Sequence, residues 1–107
     1  MKNDYNSYLE LVKKIVLENI PKDKFNIFLF GSRAREKHRQ KADIDVGVKG
    51  DTKLDKKIIW EIKDKIEESI VPYKVDIIDF IDVGPEFKEE ALKDIKIWNK
   101  VESTDIS

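Results

Sequence analysis

The 107-residue chain has no cysteine and only one histidine. Disulfides and thiolate metal sites are therefore excluded, and the lone His38 cannot build a metal site with others of its kind. Three prolines and four glycines leave little punctuation, and no internal repeat or low-complexity linker interrupts the chain. No apolar run approaches the length of a membrane span, and the first residues lack the apolar core of a signal peptide. No excess of one charge is present either. The formal net charge is −1, so nothing global favours a nucleic-acid or membrane partner. These absences predict one cytoplasmic domain over residues 1–107. What is abundant is charge of both signs, 40% of the chain, which fits a well-solvated surface.

The periodicities predict the elements. Tyr8, Leu9, Leu11, Val12, Ile15, Val16 and Ile20 recur at helical spacing up to Pro21, giving a helix over 4–19. Phe25 to Phe30 is short and apolar, a buried strand. Asp43 to Val48 is a second strand, closed by Gly50-Asp51. Leu54, Ile58, Ile59, Ile62, Ile66 and Ile70 form one stripe, giving a helix over about 53–69 capped by Asp51 or Thr52. Lys74 to Ile81 is a third strand. Pro85 opens a short helix to about Lys93, and Lys96 to Asn99 fits an edge strand. The tail over about 101–107 carries no structural signal and is expected to be flexible. The order implies an α/β (α+β) domain, a small mixed sheet with the two long helices on one face.

One constellation stands out. The first strand stops at Gly31-Ser32, a basic stretch follows, and Asp43-Ile44-Asp45 opens the next strand. Residues two apart on a strand share a face, with Cα atoms roughly 6.5 Å apart, so both carboxylates serve one site. Asp76 interrupts the apolar third strand and is the candidate third carboxylate. Asp79 faces away from it and is assigned a structural or solvent role. Grouped carboxylates suit Mg²⁺, and two such ions are the usual solution for nucleotidyl transfer. Gly31 lets backbone approach a phosphate, and Ser32 offers a hydroxyl and an N–H. Arg33 and Arg35 match phosphate geometry. From Arg33 to Lys41 there are five Lys or Arg and one Glu, a local charge of +4.

Alone, each part has a plainer reading. A Gly-Ser pair is usually a turn, an Asp-x-Asp a surface or capping pair, and a basic loop a solvated surface. Their order along one chain is what argues for a site binding a metal and a nucleoside triphosphate. His38 is given no role, and Trp60 and Trp98 are expected to be packing residues.

Gly31-Ser32-Arg33-Ala34-Arg35 with Ala42-Asp43-Ile44-Asp45-Val46-Gly47-Val48 resembles the signature of the DNA polymerase beta superfamily, in its minimal nucleotidyltransferase (MNT) branch. The resemblance runs from the first helix to the segment Ala91 to Trp98. It implies that Asp43, Asp45 and Asp76 bind Mg²⁺ and that Gly31 and Ser32 hold the phosphates of ATP. Glu36 and Ala42 depart from the usual glycine and serine of the motif, and neither removes a catalytic group. The resemblance further implies an antitoxin that transfers AMP from ATP to a tyrosine of a HEPN-type ribonuclease toxin encoded nearby. A chain of this length is expected to hold the metal and nucleotide site and to take its acceptor surface from a partner or a second copy, as a hetero- or homo-oligomer. An antitoxin acting by steric contact alone and an aminoglycoside-type small-molecule enzyme are the competing readings.

Overall fold

The computed structural model describes residues 5–31, 43–102 and 104–106. Along the chain run α1 (Tyr5–Asn19), β1 (Phe25–Phe30), β2 (Ile44–Gly50), α2 (Lys56–Glu67), β3 (Val75–Asp79), α3 (Pro85–Ala91) and β4 (Lys96–Asn99). The sheet order is β3-β2-β1-β4. β1 pairs antiparallel with β2 and β4, whereas β2 and β3 run parallel. A parallel pair needs a crossover, and α2 supplies it.

The mixed sheet with helices on one face agrees with the sequence expectation. β1 is central and all six of its residues are buried, which is why Phe25-Asn26-Ile27-Phe28-Leu29-Phe30 does not alternate with polar residues. One face of the sheet presents Ile27, Leu29, Ile44, Val46, Val48, Val75 and Ile77 to Val12, Ile15 and Val16 of α1 and Ile62 and Ile66 of α2. Each such aliphatic side chain taken fully out of water contributes about 1.5–3 kcal/mol. Lys65 donates to Asn19 Oδ1 at 2.7 Å and ties the two helices at the surface. The other face carries a separate aromatic core of Phe28, Phe30 and Phe80. Phe87 of α3 packs on it, with ring centroids 6.1 Å from Phe30 and 5.7 Å from Phe80.

Several expected boundaries move, each for a physical reason. α2 starts at Lys56 and not near residue 53, because Asp55 is the N-cap and accepts from Lys57 N. Leu54 belongs to the preceding loop. Its side chain is buried and its N–H donates to Asp79 Oδ2 at 2.7 Å. Asp79 also accepts from Ile81 N, so its role is structural, as expected. β2 runs on to Gly50, which pairs with Phe25. Trp60 is not a packing residue: it is 72% exposed, off the stripe that buries Ile62 and Ile66. Trp98 does pack against the main core.

Described residues close to the end of the chain are tied back to the sheet. Asn26, fully buried on β1, accepts from Val101 N at 2.6 Å and donates to Thr104 O at 2.9 Å. Thr104 is buried and its hydroxyl reaches Asp51. Among the described residues no helix is long and apolar enough to cross a membrane.

Candidate active site

The two inner strands and edge strand β3 set out the site in a row. Phe30 is the register partner of Asp45, and Asp45 is the register partner of Asp76. Partners on adjacent strands share a face. Asp45 and Asp76 therefore lie side by side on the face away from α1 and α2. Asp43 stands two residues before Asp45, exposed at the entry to β2. Gly31 follows directly on β1. It adopts φ +78°, and a Cβ there would stand 2.9 Å from Asp45 Oδ2. Backbone thus comes up against the Asp45 carboxylate, an approach and a conformation that glycine alone allows without strain.

The aromatic core lies beneath this row. Gly47, two residues along β2 from Asp45, faces the rings of Phe28 and Phe80, and a Cβ there would clash with the Phe28 ring. The missing side chain lets the rings pack flush under the strand that carries Asp45. Their centroids are 5.0 Å apart in an edge-on contact.

Electrostatics mark the cluster. The Asp45 carboxyl is held above its ordinary value, first by burial, then by the charges of Asp76 and Asp43, with Lys74 working against them. Lys63 of α2 reaches around to Asp76, Nζ to Oδ1 3.6 Å. Neither lysine is marked by the sequence. Lys63 reads as an ordinary solvated helix residue and Lys74 as the polar first residue of the third strand, and only the folded register brings them to the acids.

Ser32, Arg33 and Arg35 lie outside the described residues, as do His38 and the whole basic stretch from Arg33 to Lys41. Of the expected residues, Gly31, Asp43, Asp45 and Asp76 are therefore the ones whose placement is known, and they come together. Among the described residues no three acidic or histidine side chains are drawn into a ready metal cage. The donor set itself fits a hard divalent cation. It consists of oxygen ligands only, and burial first, then the charges of Asp76 and Asp43, raise the Asp45 carboxyl; a cation between the carboxylates would offset the repulsive part.

Residues 6–103 match the polymerase beta nucleotidyltransferase family. The chain belongs to that family. A relative of this nucleotidyltransferase is the probable protein adenylyltransferase MntA of Haemophilus influenzae, 27% identical over 96 residues, which are 90% of this chain and 82% of the relative. The fold matches a chain of a solved toxin–antitoxin structure with AMP-PNP, TM-score 0.68 at 24% identity, over 94% of this chain and 77% of that one. It also matches a chain of a Shewanella oneidensis complex, a tri-AMPylated HEPN toxin with its MNT antitoxin. There the TM-score is 0.64 at 24% identity, over 92% of this chain and 74% of that one.

Proposed function

We propose that this nucleotidyltransferase is an Mg²⁺-dependent cytoplasmic antitoxin that moves AMP from ATP to a tyrosine hydroxyl of a HEPN-type toxin. The observation that carries the reading is the pairing of Asp45 with Asp76 across β2 and β3, with Gly31, just past β1, closing up against Asp45 and Asp43 acting on it from the strand entry. The relative MntA and the toxin–antitoxin complexes support the choice of acceptor.

In the transfer, the tyrosine oxygen forms a bond to the α-phosphorus of ATP. The bond from that phosphorus to the bridging oxygen breaks, pyrophosphate leaves, and the phenolic proton is released. Asp43, Asp45 and Asp76 would hold Mg²⁺. When bound, the metal neutralises phosphate charge and favours the ionised form of the attacking hydroxyl. Asp43 and Asp45 serve the nucleotide, and Asp76, at the β3 end of the row, serves the hydroxyl. Gly31 gives the phosphates access to backbone beside Asp45, and Ser32 supplies a hydroxyl and an N–H to them. Arg33 and Arg35 balance their charge. Rigid strands carry Asp45 and Asp76, and Asp43 stands one residue before β2, so the orienting effect needs little reorganisation.

The test uses ATP labelled on the α-phosphate, incubated with the chain alone and with the HEPN-type protein encoded beside it. Label on a tyrosine of the partner is the expected result. Neutralisation of the toxin with no label transferred would favour the steric antitoxin instead. Strong self-labelling with none on the partner would defeat the antitoxin reading and leave the nucleotidyltransferase.

A further inference from the structure

Lys63 has no part in the proposed transfer, yet it contacts Asp76, one of the three acids. Its ammonium stands 3.6 Å from Asp76 Oδ1, with the two side chains 46% and 27% exposed. A contact of that length between partly solvated groups is weak and readily exchanged. Lysine suits such exchange, since it offers a point charge on a flexible stem, without the bidentate fork by which arginine locks onto a carboxylate.

Lys63 also has a second place to go. It lines a cavity of about 390 Å³ between the end of α2 and the start of β3, together with Glu67, Pro72, Tyr73 and Lys74. Glu67 lies four residues on from Lys63, one helical turn along α2 and on the same side of the helix. The ammonium can therefore pair with Asp76 at one end of its reach or turn toward Glu67 at the other.

We propose that Lys63 competes with a divalent cation for the Asp76 carboxylate and so sets how tightly the site takes that cation. This inference rests on the reading of Asp76 as a metal ligand. An ammonium and a divalent cation on one carboxylate repel each other, so the cation gains a position only as Lys63 yields it. Lys63 thereby protects against loading of Asp76 by stray cations. Loading becomes favourable once the triphosphate adds its own negative charge to the site. Lys63 is a positioning residue on this account, acting through Asp76.

The experiment is a titration of Mn²⁺, as a spectroscopic substitute for Mg²⁺, into the full chain without nucleotide. Free Mn²⁺ is followed by its electron paramagnetic resonance signal. Lys63→Met should bind Mn²⁺ about two- to fivefold more tightly than the unaltered chain, the scale expected for loss of one partly exposed charge pair. Lys63→Arg keeps the charge and should not tighten binding. Asp76→Asn should weaken it. Equal or weaker binding by Lys63→Met, with Asp76→Asn still weakened, would overturn the role of Lys63 and leave the metal site standing. Tightening by Lys63→Arg as large as that by Lys63→Met would overturn it too, since charge would not be the cause. If Asp76→Asn bound Mn²⁺ as well as the unaltered chain, the reading of Asp76 would fail, and this inference with it.

Discussion

Gly31 and Asp45 are in contact across the β1–β2 pair: a Cβ on Gly31 would stand 2.9 Å from Asp45 Oδ2, and Gly31 holds φ +78°. Two penalties thus meet at one position. Gly31→Ala should cost about 1–2 kcal/mol from the left-handed backbone alone, measured by urea denaturation. It should also displace the Asp45 carboxylate and weaken ATP binding. A variant with unchanged stability and unchanged ATP affinity would show that neither the backbone conformation nor the carboxylate contact matters.

Asp45 links the site to pH. Burial and the charges of Asp76 and Asp43 raise its carboxyl in the folded chain. The folded state therefore holds the proton more firmly than the unfolded chain does. As pH rises from the unfolded aspartate value through the raised folded one, the fold loses stability, and the loss persists at neutral pH. Asp45→Asn should then melt at a higher temperature than the unaltered chain in EDTA at pH 7. The gap should close on acidification through that window. Thermal denaturation as a function of pH measures both, and an Asp45→Asn variant melting lower at pH 7 would contradict the account.

Asn26 joins the sheet to the residues near the end of the chain. It is fully buried, donates to Thr104 O and accepts from Val101 N. Asn26→Ala would leave both backbone groups without that partner, so a loss of about 2–3 kcal/mol is expected in denaturant unfolding. Cleavage by a non-specific protease should shift to residues 101–106. Protease resistance there equal to that of the unaltered chain would show that other contacts hold the segment.

The core strands and the acids were legible because they follow local periods. Phe25 to Phe30 has no polar alternation, and β1 is buried on both faces; Asp43 and Asp45 sit two apart, the strand period. What escaped depends on contacts distant in sequence. Leu54 fits the helical stripe, yet its N–H is claimed by Asp79, 25 residues on, and the helix starts only after it. Nothing local marks Asn26 as the partner of Thr104, 78 residues away. The alignment of Asp45 with Asp76 is a register of parallel strands, set by the α2 crossover and not by any local signal. Lys63 carries no mark in the sequence, since solvated lysines are the rule on such helices.

Within the triad, position predicts division of labour. Asp76 lies at the β3 end of the row, away from Gly31, and is assigned to the attacking hydroxyl. Asp76→Asn should lower the transfer rate by about 10²-fold or more, the scale of losing a group that acts in proton removal. ATP affinity should change by less than about tenfold, roughly 1.4 kcal/mol. Rate and affinity falling together by the same factor would place Asp76 on the nucleotide instead.

Adenylyl transfer to a partner by these carboxylates is what the proposed function requires. Its most direct measurement is mass spectrometry of the HEPN-type protein co-expressed with this chain, either unaltered or carrying Asp43→Asn and Asp45→Asn together. Both substitutions remove charge at nearly constant shape, so the fold should persist, as circular dichroism would verify. The account predicts AMP on a tyrosine of the partner with the unaltered chain and an unmodified partner with the double variant. AMP added equally by the double variant, or an unmodified partner with the unaltered chain, would contradict it.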